Sequence, residues 1–365
     1  MRAKKYLIST VVFFLLTVPA YFWVINNILA KSHQDDIQNY RNFIFKNTPG
    51  KRIIIDSGSN SYHAIMPKIL ERHFNMPVLN LADNAGFPLE HKFKYYDKHL
   101  RTGDVLILPL EWHHYITPVL NDIYVEEILA GTKSYFYHNL SLDDKLDFVF
   151  SHVPANKFLY ASQNNMKRLW KPISERALIE NIKKRLLPNN DTSFGYAIHW
   201  DNRIIPKDVK DRSCDEFLFK YQLEDGFKVN EHFSGYIEQL KLIRHKGVNI
   251  IFALPTVVDK DDSQCYSSKV VKDHLGNYVK EIRSFLAMHD FTLLGEPHDS
   301  AFPSKYFLDT PYHVTEEGSV LRTKKLISQL RDIGFKPSQG PYQVDDAYIH
   351  LKSRVESLLK KYKRD

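Results

Sequence analysis

Three short runs of this chain hold an unbroken stretch of apolar residues, and each is closed by turn residues. They are 51–56 (KRIIID), between Gly50 and Gly58; 105–110 (VLILPL), after Thr102-Gly103-Asp104; and 249–254 (NIIFAL), ended by Pro255. A strand with one wet face alternates polar and apolar residues, whereas a continuously apolar run suits a strand covered on both faces, as in a parallel sheet. Residues 78–81 and 291–294 read as two more such strands. Stretches with helical spacing lie between them, at 62–74, 90–100, 231–246 and 268–289, and two more follow at 318–333 and 347–361. Strands alternating with helices imply crossover connections. The expected class is therefore α/β, a three-layer sandwich with a central parallel sheet and helices on both faces. Between 111 and 227 the rhythm loosens into aromatic clusters and scattered prolines, read as a largely helical insertion, at about 112–228, over the top of the sheet.

The N-terminus sets the compartment. The chain opens with Arg2, Lys4 and Lys5 and then carries no charge from Tyr6 to Leu29. That stretch is long enough for a helix to cross a hydrocarbon core of about 30 Å. Basic residues before it and Asp35 and Asp36 after it predict an N-terminus in the cytoplasm and a domain on the periplasmic, extracytoplasmic side of the cytoplasmic membrane. A cleavable signal peptide is the competing reading, with 7–17 as its apolar region and Val18-Pro19-Ala20 as the cleavage site. The apolar character continues through Tyr21, Phe22, Trp23, Val24 and Ile25, which favours an uncleaved transmembrane anchor. The expected organisation is an anchor at 1–30, a polar helical stalk at 31–50, the α/β domain at 51–340 and a C-terminal basic helix at 341–365.

The formal charge of +7 is spread along the chain, without a long basic run or zinc-finger spacing, so a nucleic acid partner is not expected. A basic surface suits an anionic membrane or an acidic polysaccharide. Two cysteines, Cys214 and Cys265, do not make a metal site by themselves, and no His/Asp/Glu cluster has metal-ligand spacing. In an oxidising compartment the two can pair; the sequence leaves that open.

Two stretches carry chemistry. Ser57-Gly58-Ser59-Asn60 follows the first strand directly, at the carboxyl end where open α/β sheets bind ligands. A serine on a Gly-containing turn there can present its hydroxyl to a cleft beside the amides of a helix N-terminus. The same residues also make an ordinary strand-to-helix turn. Some 250 residues later, Asp309 and His313 share one loop before a helix that Thr315 can cap. A histidine beside a carboxylate can act as a general base with a fixed tautomer, and such a loop is also a plain cap.

Taken together, a serine after the first strand and an Asp/His loop before the last long helix of the domain resemble the SGNH (GDSL-like) hydrolases. The membrane-anchored branches that serve bacterial surface polysaccharides, in alginate acetylation and teichoic-acid D-alanyl transfer, are the nearest in layout. The resemblance runs over most of 52–330 outside the insertion. It implies Ser59 as nucleophile, His313 as base, Asp309 as its orienting acid, and Gly86 of Asn84-Ala85-Gly86 as an oxyanion donor. The block reads Asp-Ser-Gly-Ser-Asn instead of Gly-Asp-Ser, which leaves Ser57 as a rival nucleophile. The third-block Asn is missing from Pro109-Leu110-Glu111-Trp112, so Asn60 and Glu111 stand in as oxyanion or substrate residues. The implied function is hydrolysis or transfer of an O-acyl group, acetyl first, on an extracytoplasmic glycan, with no cofactor and with a membrane acyltransferase as partner. The alternative is a catalytically inactive scaffold or glycan-binding subunit of an envelope assembly.

Overall fold

The computed structural model describes residues 2–30, 36–115, 122–170, 174–186, 229, 231–259, 269–308, 312–338 and 343–361. Helix α1 is Arg2–Val24, continued by a π-helical turn at Ile25–Leu29, and α2 is Asp36–Asn47. Strand β1 (Ile53–Ile55) leads through α3 (Ser59–Ala64) and α4 (Pro67–Phe74) to β2 (Val78–Asn80), and α5 (Leu89–His99) leads to β3 (Val105–Leu108). Then come α6 (Asp122–Leu129), α7 (Ser134–Asn139), α8 (Leu142–Asp147), a second π-helical turn (Phe148–His152), α9 (Ala155–Trp170) and α10 (Glu175–Arg185). Helix α11 (Glu231–His245) returns to β4 (Asn249–Ala253) and β5 (Val257–Asp259), and α12 (Lys269–Ala287) to β6 (Thr292–Leu294) and β7 (Ala301–Pro303). Helices α13 (Glu316–Asp332) and α14 (Gln343–Lys361) follow.

The five-stranded sheet has the order β2-β1-β3-β4-β6, and every pair is parallel. In register, Ile54 faces Leu79 on one side and Leu106 on the other. Apart from Asn80, Asn249 and Thr292 at strand ends, the strands are apolar, because both faces are covered. Ile54, Leu79, Leu106 and Phe252 pack with residues of α2, α5, α11 and α12, such as Ile44, Phe93, Ile237 and Ile282. Ile53, Ile55, Val78, Ile107 and Ile251 pack on the other face with Leu70 and Phe74 of α4 and Leu326 and Leu330 of α13. At the amino edge a buried Arg52–Asp104 pair ties β1 to β3, with Arg52 Nε 3.1 Å from Asp104 Oδ1. β5 and β7 form a separate parallel pair that the short sequence runs did not announce.

Several expectations change. The helix expected over 62–74 is two helices: Pro67 opens α4 at its first position, where a missing N–H costs nothing, and Ile65 and Met66 before it are extended. Helix α2 forms, but Tyr40, Phe43, Ile44 and Phe45 are buried in the main core. The apolar N-terminal stretch is divided. Leu7, Phe13, Phe14, Leu15 and Leu16 of α1 are exposed, while Ile25, Leu29 and Ala30 are fully buried against the domain. Among the described residues, one helical stretch, Tyr6–Leu29, is long and apolar enough to cross a membrane. The C-terminal helix is not a separate unit, since Ala347, Leu351 and Val355 are core residues. The insertion is helical as far as the described residues reach; 187–228, with Cys214, lie outside them, as does Cys265.

Candidate active site

Strand order reverses between β1 and β3, and the crevice beyond their carboxyl ends is where doubly wound sheets place ligands. Two segments meet there: Asp56-Ser57-Gly58-Ser59-Asn60 after β1 and Pro109-Leu110-Glu111 after β3. Asp56 is buried and accepts from Lys92 Nζ of α5 at 2.9 Å, and Lys92 also donates to the Ser57 carbonyl at 2.8 Å. Burial pushes the Asp56 carboxyl up, and Lys92 and Tyr96 oppose that push. A buried hydrogen-bonded pair of this kind makes a stiff floor under the turn.

The two serines differ in setting. Ser57 is fully buried, and its hydroxyl accepts from Asn60 Nδ2 at 3.3 Å. Ser59 is the first residue of α3, partly exposed, and makes no side-chain hydrogen bond among the described residues. Only Ser59 therefore has a hydroxyl free to meet a ligand. Gly58 is required by close approach: a Cβ there would lie 2.2 Å from Glu111 Oε1 and 2.6 Å from Ala85 Cα.

Glu111 closes the start of α3. Its buried carboxylate accepts from the Gly58 amide at 2.9 Å and the Asn60 amide at 3.3 Å, two donors without intrahelical partners. His114 Nε2 lies 3.3 Å away. Burial by itself would raise the Glu111 carboxyl; the close contact with His114, the Asn60 amide and the nearby His113 overcome it and hold the group at about 2. Burial also keeps His114 low, at about 4. His113 stacks on His114 with centroids 4.3 Å apart and reaches the Ala85 carbonyl at 3.2 Å.

His313 approaches from the far end of the sequence. Phe307 and Val314 pair as an antiparallel bridge, Leu308 N–H donates to the His313 carbonyl at 2.8 Å, and Thr315 N–H to that of Tyr306 at 2.7 Å. Thr315 caps α13 by accepting from Gly318 N–H. The loop thus leaves and returns at fixed points, with His313 at its base. Thr256 Oγ1 donates to the Tyr312 carbonyl at 3.3 Å, which ties the loop to the end of β4. The His313 ring packs on His63 with centroids 4.1 Å apart. His63 is four residues after Ser59 in α3, and i,i+4 residues share a helix face, about 5–6 Å apart at Cβ. The fold therefore brings His313 to within about one helical turn of Ser59. Asp309 lies outside the described residues.

Of the residues expected to hold an oxyanion, three are engaged elsewhere. The Gly86 amide donates to Asn84 Oδ1 at 2.7 Å. The Asn60 side chain is buried and donates to the Pro109 carbonyl at 3.0 Å. Glu111 is an ionised acceptor, and a carboxylate without a proton has nothing to donate. The backbone amide of Ser59, at the first helical position with no intrahelical acceptor, is the remaining donor of the set. Sequence reading passed over His63 and Lys92. The Ser59–His63 spacing of four was visible, but it signals a shared face only once α3 is known to start at Ser59. Compared with known proteins, the sequence matches no family model, and no curated protein matches it.

Proposed function

We propose that the chain is an extracytoplasmic serine esterase or O-acyltransferase of SGNH type. In this reading it is a three-layer sandwich held at the cytoplasmic membrane with its N-terminus inside, acting on acyl groups, acetyl foremost, of a bacterial surface polysaccharide. One observation carries it: the partly exposed Ser59 opens α3 at the reversal of strand order, and His63 on the same face of α3 is stacked on His313. In the proposed reaction Ser59 Oγ attacks the ester carbonyl and His313 takes its proton. The tetrahedral oxyanion meets the Ser59 amide, the sugar oxygen leaves with the proton from His313, and an acyl-serine remains. Water then gives hydrolysis and a second hydroxyl gives transfer. Asp309 is assigned to orient His313. The scheme needs no cofactor, and a membrane acyltransferase is the natural acyl source for the transfer branch.

A second reading, a non-catalytic glycan-binding or scaffold subunit, is favoured by Glu111. Its charge sits on the Gly58 and Asn60 amides, where an oxyanion would otherwise be stabilised. The test is release of an aryl alcohol from an aryl acetate by the full chain in phospholipid vesicles. Ser59→Ala and His313→Ala are expected to lower release by about a thousandfold or more, while Ser57→Ala retains it. Folded wild-type protein that releases no more than Ser59→Ala would sink the enzyme reading and leave the binding one.

A further inference from the structure

Where α1 leaves the domain, the surface around it is apolar. Tyr21 donates its hydroxyl to the Val153 carbonyl at 2.8 Å, its ring packs on Phe158 of α9 at 4.4 Å between centroids, and Phe150 lies 6.2 Å away. The π-helical turn Ile25–Leu29 packs on α9 as well. Beside these contacts, Phe150, Leu159 and Tyr160 are 49%, 58% and 69% exposed, a large apolar area for a water-facing helix.

Helix length says what covers it. With Lys5 at the inner interface, a hydrocarbon core of about 30 Å takes about 20 residues at 1.5 Å each, and so ends near Ile25. Yet the domain already grips the helix from Tyr21. The two spans overlap by about four residues, or about 6 Å, and tilt only increases the overlap. Over that depth, residues of the domain lie inside the outer boundary of the bilayer.

We propose that the Phe148–His152 turn and the first half of α9 form a membrane seat, with Phe150, Leu159 and Tyr160 immersed in the outer interface of the bilayer beside the anchor. The proposal rests on α1 spanning the membrane. Aromatic and aliphatic side chains at this depth are the usual anchors of interfacial segments. The seat fixes how the domain stands on the membrane, so the crevice at Ser59 is held at a constant height and orientation instead of swinging on a tether.

The test places an environment-sensitive fluorescent amino acid, one position at a time, at Leu15, Leu159, Tyr160 or Met288 of the full chain. All four side chains are exposed, so the substitutions spare the core. The proteins are reconstituted in phosphatidylcholine–phosphatidylglycerol vesicles, with and without bromine on the acyl chains. Emission from Leu15, Leu159 and Tyr160 is expected to fall about twofold or more in brominated vesicles, and that from Met288, on the α12–β6 turn, to stay unchanged. If Leu15 is quenched while Leu159 and Tyr160 follow Met288, the seat is wrong and the anchor stands. Blue-shifted but unquenched emission at Leu159 and Tyr160 also overturns it, since a protein partner then covers the patch. An unquenched Leu15 overturns both the anchor and the seat.

Discussion

Glu111 and Glu71 are both buried carboxyls, and they respond to pH in opposite directions. Glu111 accepts two helix-start amides and a contact from His114, and its pKa falls to about 2 from an ordinary 4.5. A group depressed in the folded state adds stability above the unfolded pKa, and that contribution is lost as pH falls from about 4.5 towards 2. Glu111→Gln should lower unfolding stability at pH 7 by about 1–3 kcal/mol, the usual cost of breaking a buried charged hydrogen-bond set. The gap from wild type should close between pH 4.5 and 2. Urea unfolding at pH 7, 4 and 3 checks it, and a gap that is constant with pH contradicts the assignment. Glu71 accepts one amide, that of Val78 at 3.2 Å, and burial outweighs this bond and the charges of Lys68 and Arg72, raising its pKa to about 8. Here the folded state prefers the proton, so stability falls as pH rises from about 4.5 through 8. Glu71→Gln, which stays neutral, should match wild type near pH 5 and exceed it at pH 8.5, read as a higher melting temperature. The Glu111 role could not be read from the chain, because its partners lie 53 and 51 residues away and come together only through the sheet.

The β1–α3 turn concentrates what the elements contribute to the site. β1 was legible because its residues are apolar at every position, and the serine turn because Ser, Gly and Asn follow it at once. The helix start was not: an expected onset at Tyr62 hides the shared face of Ser59 and His63. The break at Pro67 was there to be read, since the residue before a proline avoids helical geometry. The Asp309–His313 loop was legible through Thr315, whose cap on α13 forms as expected. Gly58 tests how tightly the turn is built. Its φ is −85°, which any residue adopts, so its role is closeness alone. The atoms that a Cβ would strike are the Glu111 carboxylate, pinned by the Gly58 and Asn60 amides, and Ala85 Cβ and Cα, which cannot swing aside. Gly58→Ala should therefore cost about 1–3 kcal/mol by overpacking and displace Glu111 from the start of α3. Gly235→Ala, on a helix where a Cβ meets nothing within 4 Å, is the matched control and should be neutral or better. Thermal unfolding of the pair decides it; equal melting temperatures would mean that the turn is looser than the contacts imply.

At the scale of the molecule, the sequence marks an apolar stretch from Tyr6 to Leu29 but not how its two ends are used, and the reason is physical. A run with no polar face gives no sign of which end meets lipid and which meets protein, because both surroundings are apolar. The next helix carried a clue in Tyr40, Phe43 and Ile44, spaced to bury one face, which a free stalk has no use for. The structure puts the division near Tyr21. Before it, side chains of α1 are exposed; after it, Ile25, Leu29 and Ala30 are core, and Tyr21 bonds to Val153. Two truncations separate these roles. Deleting residues 1–20 removes side chains that touch little of the domain and should leave a folded, cooperative protein with a melting temperature within a few degrees of the parent in detergent. Deleting residues 1–32 also takes out Ile25 and Leu29. Each is a large-to-nothing deletion in a packed core, costing about 2–5 kcal/mol, which together approach the whole stability of an ordinary domain. That protein should aggregate or unfold without cooperativity, by calorimetry and size-exclusion chromatography. The same arithmetic bears on processing. Cleavage after Ala20 would leave every buried contact in place, whereas loss of the entire apolar stretch would not, so any natural cut compatible with this fold falls before Tyr21. Two equally stable truncations would show that the π-helical turn contributes little to the stability of the domain.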